Sequence, residues 1–189
     1  MEIEIPEKIR EYAEQAVEYV RVALGIAPTY DSDTLPLLDH YLSTVPREEP
    51  ATVALVVATA GAYFGEVVRR SLGGRWDGGT GVHEEWRMIL PTGLAFSPSG
   101  FVAAAIAKSD LEDFDSELDA PARMKSHVQQ ALSRMGEVPH DEYYSLCNRL
   151  DTLEHVHEVL VAVAAQMLGN LDDDEPVEPV ADEPSGSIN

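Results

Sequence analysis

Apolar residues recur at helical spacing along most of this chain and alternate in one short stretch. Ile9, Tyr12, Ala13, Ala16, Val17, Val20 and Leu24 share a face. Pro6 suits the first turn of that helix and Gly25 ends it. "YDSDTLPLLDHYL" offers several capping side chains before a short second helix with Leu38, Tyr41 and Leu42 inward. Pro46 and Pro50 punctuate a linker. A third helix, about Ala51 to Leu72, is apolar nearly all round in its first half, as a helix covered on more than one side must be.

The period then changes. In "VHEEWRMIL", Trp86, Met88 and Leu90 alternate with Arg87 and Ile89, and this stretch lies between "GRW" and "LAFS". The turn chemistry of "DGGTG" and "PTG" separates the three, so a small antiparallel meander is expected, with His83 at a strand start. Ser97 and Pro98 restart a helix. Met124, Val128, Leu132 and Met135 mark another, closed by Gly136. The longest runs from about His140 to Leu168, with Tyr143, Leu146, Leu150, Leu153, His157, Leu160, Ala164 and Met167 in one stripe. The expected fold is α+β and mostly helical, with about six helices around the meander. Residues 1–170 form one globular domain, and 171–189, rich in acid and proline, form a disordered tail.

Charge narrows the partners. Thirteen basic residues oppose thirty-four acidic ones, for a formal −21. Removing the tail's seven acids leaves −14 on the body, which disfavours nucleic acid and anionic membrane surfaces and favours a basic protein partner. A solubility adaptation to high salt produces the same excess of acid. Only three of the basic residues are lysines, a bias that fits a GC-rich bacterial coding sequence. The N-terminal stretch lacks the apolar core of a signal peptide, and the charge-free run from Ala51 to Gly65 is shorter than a membrane span, so a cytoplasmic protein is expected.

The most patterned stretch is "GAYFGEVVRRSLGGRW", Gly61 to Trp76. Gly61 and Gly65 share a helix face and admit a close neighbour. Glu66 pairs with Arg69 or Arg70, Gly73 or Gly74 stops the helix, and Trp76 folds back as a lid. Those structural roles account for every residue; the functional reading makes Glu66, Arg69, Arg70, Trp76 and His83 line a pocket beside the meander. The order of this helix, the short strands, "FSP" and another helix resembles that of uncharacterised bacterial domains over about residues 51–108. The resemblance implies an α+β domain and brings no activity.

Other candidate chemistry is sparse. His155 and His157 lie on different helix faces and cannot chelate together; His157 suits a core position with a hydrogen-bond partner. "DLEDFDSELD" lacks the glycine of a calcium loop. "GGRWDGGTG" follows a helix and has no phosphate-binding lysine. Cys147, the only cysteine, suits a small buried apolar role. No catalytic constellation, metal site or cofactor motif emerges. The expected function is docking on a basic macromolecule, as immunity proteins, antitoxins and nucleic-acid mimics do, through Glu112, Asp113, Asp115, Glu117 and Asp119. A structural or assembly protein acting through helix-mediated self-association is the alternative, and an enzyme with an unrecognised site is the third reading.

Overall fold

Thirteen consecutive residues of one helix, Val56 to Val68, lie buried, and the rest of the fold is the covering that this helix demands. The computed structural model describes residues 5–78 and 81–172. In chain order it comprises α1 (Glu7–Leu24), α2 (Leu35–Ser43), the buried α3 (Pro50–Leu72), β1 (Arg75–Asp77), β2 (Arg87–Ile89) and β3 (Ala95–Phe96). These are followed by α4 (Pro98–Ala107), α5 (Lys125–Arg134), α6 (His140–Tyr143) and α7 (Leu146–Asp172). The fold is α+β and mostly helical. α3 packs against α1 and α4 and also touches α7. Pro50 stands in its first turn, where a missing N–H costs nothing, and so opens the helix instead of marking a linker.

The strands form the expected antiparallel meander in the order β1-β2-β3, with Met88 opposite both Trp76 and Phe96. Trp86, Met88 and Leu90 point into the core, as their alternation requires. His83 begins a 3₁₀ turn, His83–Glu85, and not a strand. A fourth segment joins the edge of β3: Ala95 and Asp119 exchange two backbone hydrogen bonds of 2.8 Å.

The caps follow local chemistry. Gly25 and Gly73 take left-handed conformations after α1 and α3 (φ 77° and 73°). The Asp31 side chain accepts from Thr34 N, and Ser97 Oγ from Gly100 N.

The expected long final helix is two helices, broken around Tyr144 and Ser145. The break is stabilised from outside, because the Asp39 carboxylate on α2 accepts from Leu146 N (2.7 Å) and Cys147 N (3.1 Å), the first donors of α7. The buried stripe of α7 is Leu146, Leu150, Leu153, Val156 and Leu160. Val156 takes the place expected for His157, while Met167 and Tyr143 are exposed. α7 continues to Asp172, past the expected domain end at residue 170; residues 173–189, the greater part of the expected tail, lie outside the described residues.

The glycine face of α3 is a close contact. A methyl group at Gly65 would overlap the Trp76 indole, and one at Gly61 would lie 3.0 Å from the Ser99 backbone on α4. Gly65→Ala therefore destabilises the fold by on the order of 1–3 kcal/mol, the usual cost of overpacking. At an open helical site the same change stabilises by roughly 0.5–1 kcal/mol. The sign of the shift in a urea denaturation curve decides between close packing and an open face.

Candidate functional site

Three of the residues expected beside the meander do meet. The buried Glu66 carboxylate accepts from Arg69 Nε (2.9 Å), Arg69 Nη2 (3.0 Å) and Trp76 Nε1 (2.7 Å). Arg69 is one helical turn from Glu66, and the chain reversal at Gly73 carries the indole back over Gly65. Arg70 points elsewhere, its guanidinium 4.3 Å from the centre of the Tyr30 ring, which stacks on Tyr63 at 4.7 Å. Burial, reinforced by Glu14, pushes the Tyr30 hydroxyl up to about 12. His83 lies edge-on to Trp86, 6.4 Å between ring centres. The five residues therefore do not share one opening. Glu66, Arg69 and Trp76 form a closed polar knot, and none of the five lines a separate cleft on the molecule.

That cleft, about 940 Å³, opens between the acidic segment 110–118, the end of α5 and the start of α7. Its size lies in the range of about 300–1,000 Å³ common for ligand pockets. The apolar lining comes from Leu111, Phe114, Leu118, Leu132, Met135 and Val138. Leu132 and Met135 were expected to face the core from α5. The core takes Met124, Val128 and Ala131 instead, and Leu132 is 38% exposed, turned to the cleft. Asp110, Asp115, Glu117 and Glu137 supply acid to the wall. Arg149 stands among them, its guanidinium 4.7 Å from the Phe101 ring centre and 5.1 Å from that of Tyr143.

The acidic segment is moulded onto the body. A methyl group at Gly100 would overlap the Asp115 carbonyl oxygen, so the segment's backbone presses on the first turn of α4. Arg87 on β2 binds the Asp115 carboxylate. Asp110 accepts from Ser116 Oγ at 2.8 Å, and Lys125 lies 3.6 Å from Asp119. Of the five acids expected to meet a partner, Asp115 and Asp119 thus have cationic neighbours in their own chain. Glu112, Asp113 and Glu117 are exposed and make no ion pair among the described residues. The cleft itself was not foreseen. The signal for it was the apolar content of "DLEDFDSELD", in which Leu111, Phe114 and Leu118 recur between the acids.

The remaining candidates are structural. Thr92 Oγ1 lies 3.1 Å from His157 Nδ1, the hydrogen-bond partner expected for a half-buried histidine. Burial and the neighbouring Asp39 carboxylate push the Cys147 thiol up to about 12, so it stays protonated at neutral pH. Among the described residues no cluster of histidine, cysteine, aspartate or glutamate has the geometry to hold a metal ion. α3 has the length and hydropathy of a membrane span, but 72% of its most apolar window is buried inside the protein, as in a core helix. No protein-family model, curated protein or solved structure matches the chain, and the functional reading rests on its own chemistry.

Two predictions follow from these contacts. Glu66→Ala leaves the half-buried Trp76 indole N–H without its acceptor and removes the partner of Arg69, which is partly exposed and can turn to water. The loss is about 1–3 kcal/mol in urea denaturation, with quenching and a red shift of Trp76 emission. The second concerns pH. Burial lowers the pKa of His83, with Lys8 adding to the shift and Glu84 opposing it. Burial also lowers that of His157, opposed by Glu158. The unfolded chain therefore takes up protons first, near the usual histidine value of about 6.5. Stability from these groups is complete above that pH and is lost as pH falls toward the lowered folded values. The melting temperature should hold between pH 8 and 7 and fall between pH 6.5 and 5, less steeply in the His83→Gln/His157→Gln double variant.

Proposed function

We propose that this protein is an acidic cytoplasmic binding module that docks a basic macromolecule, in the manner of immunity proteins, antitoxins and nucleic-acid mimics. One observation carries the reading: the cleft between segment 110–118, α5 and α7 combines acidic and apolar lining. A basic amphipathic segment of a protein complements both, its lysines or arginines against Glu117 and Glu137 and its apolar side chains over Phe114, Leu132 and Met135. Glu112 and Asp113 lie beyond the rim and steer the approach. Asp115 and Asp119, already attended by Arg87 and Lys125, contribute less than the sequence suggested.

A second reading has its own support. From Val159 to Leu171 α7 carries no charged residue, and Val161 and Leu168 are 49% and 66% exposed. Two copies of a strongly acidic chain repel least where charge is absent, so this helix end suits self-association.

Salt separates the readings. Docking through the cleft is fastest at low ionic strength and slows as the Debye length shrinks from about 10 Å at 0.1 M to about 3 Å at 1 M. Self-association through α7 strengthens or holds over the same range. Partners are recovered by pull-down from the native host, and association is followed by stopped flow. The triple variant Glu112→Gln/Asp113→Asn/Glu117→Gln should bind about ten-fold more slowly and melt within a degree or two of the parent. Recovery of acidic or apolar partners alone, or binding indifferent to salt, defeats the docking reading. A salt-stable dimer in gel filtration, abolished by Leu168→Glu, establishes the second.

A further inference from the structure

We infer that Arg149 is a receptor for the C-terminal carboxylate of the basic segment that enters the cleft, an inference that rests on the docking reading above. Three of the ten arginines form ion pairs among the described residues, and of the other seven Arg149 is the one that lines the acid-walled cleft. Arg21 pairs with Glu18, Arg69 with Glu66 and Arg87 with Asp115. Arg149 forms no ion pair among the described residues, and its Nε is buried without an acceptor. Two of the wall's acids are engaged elsewhere: Asp115 with Arg87, Asp110 with Ser116 and, at 3.4 Å, with the Tyr144 hydroxyl.

The guanidinium is also held in place. Phe101, Tyr143 and Tyr144 present their ring centres at 4.7, 5.1 and 5.6 Å, a three-sided aromatic mount that fixes the plane of the fork without consuming its donors. An arginine so mounted matches the two oxygens of a carboxylate, which it binds in bidentate fashion. The other wall acids still require cations, and the floor requires apolar groups. One occupant therefore carries negative charge at Arg149, positive charge at Glu117 and Glu137, and an apolar part between. The end of a basic polypeptide has all three.

The net charge makes the test diagnostic. On a body of −14, a ligand without its terminal carboxylate is electrostatically favoured, so a preference for the free acid requires a specific receptor. The probe is an acetylated hexapeptide of alternating lysine and leucine, made once with a free C-terminal carboxylate and once as the amide. Both are titrated by calorimetry against the full chain at low salt. The free acid should bind about ten-fold tighter than the amide. That preference should vanish in Arg149→Gln and persist in part in Arg149→Lys, with thermal melts confirming that both variants fold. Equal or tighter binding of the amide to the parent protein sinks the inference with no variant needed, as does a preference that survives Arg149→Gln. If both peptides bind without preference, the cleft reading stands and Arg149 is not its carboxylate receptor. If neither binds, the cleft reading fails and this inference falls with it.

Discussion

A helix whose middle has no solvent face sets the terms for this protein. α3 is buried along its middle thirteen residues, and covering it on every side requires neighbours closer than ordinary side chains allow. Gly61 and Gly65 supply the room, one for the backbone of α4 at Ser99 and the other for the Trp76 indole. The close approach has a polar consequence. Glu66 follows Gly65 directly and is buried with it, so its carboxylate needs partners inside the fold. Arg69 and Trp76 provide them. The glycine, the indole and the carboxylate form one packing unit that joins α3 to the first strand of the meander.

The acidic surface obeys a related economy. A body of −14 works against its own compact state, and the chain offsets part of that repulsion by using acids internally. Asp39 caps α7, Asp115 binds Arg87, and Asp110 holds Ser116. The segment from Asp110 to Asp119 is thereby tied at both ends and pressed against Gly100 at its centre. Of its apolar residues, Phe114 and Leu118 pack half-buried against the edge of the core, while Leu111 stays exposed, as does Leu132 at the end of α5. Together they line a cleft in which exposed apolar surface, acid and one mounted arginine lie side by side.

Much of the architecture was legible in the residue pattern, because it depends on local rules. Helical and strand periods, proline and glycine at element ends and the Ser97 cap are set by neighbours within a few residues. So is the Glu66–Arg69 pair, one turn apart on a single helix. The face of α3 was also legible, since two glycines four apart inside an apolar helix have few other uses. The misplacements share a cause. The long final helix was expected to run unbroken because nothing between His140 and Leu168 forbids it; the carboxylate that starts α7 lies more than a hundred residues earlier, on α2.

The cleft stands at the other extreme. Leu132 and Met135 continue the apolar stripe of α5 and look identical, in sequence, to the residues that enter the core. Whether an apolar side chain is covered depends on where its helix ends relative to other elements, and no local rule contains that. The same holds for Arg149. Its charge was evident from the chain, but its lack of an ion pair among the described residues and its contact with Phe101, nearly fifty residues earlier, arise only in the fold. Local pattern determined the elements and their buried faces, because covalent spacing places those groups. Tertiary packing alone decided which charges pair, which apolar ends stay open and where they converge, because those outcomes depend on distances through space.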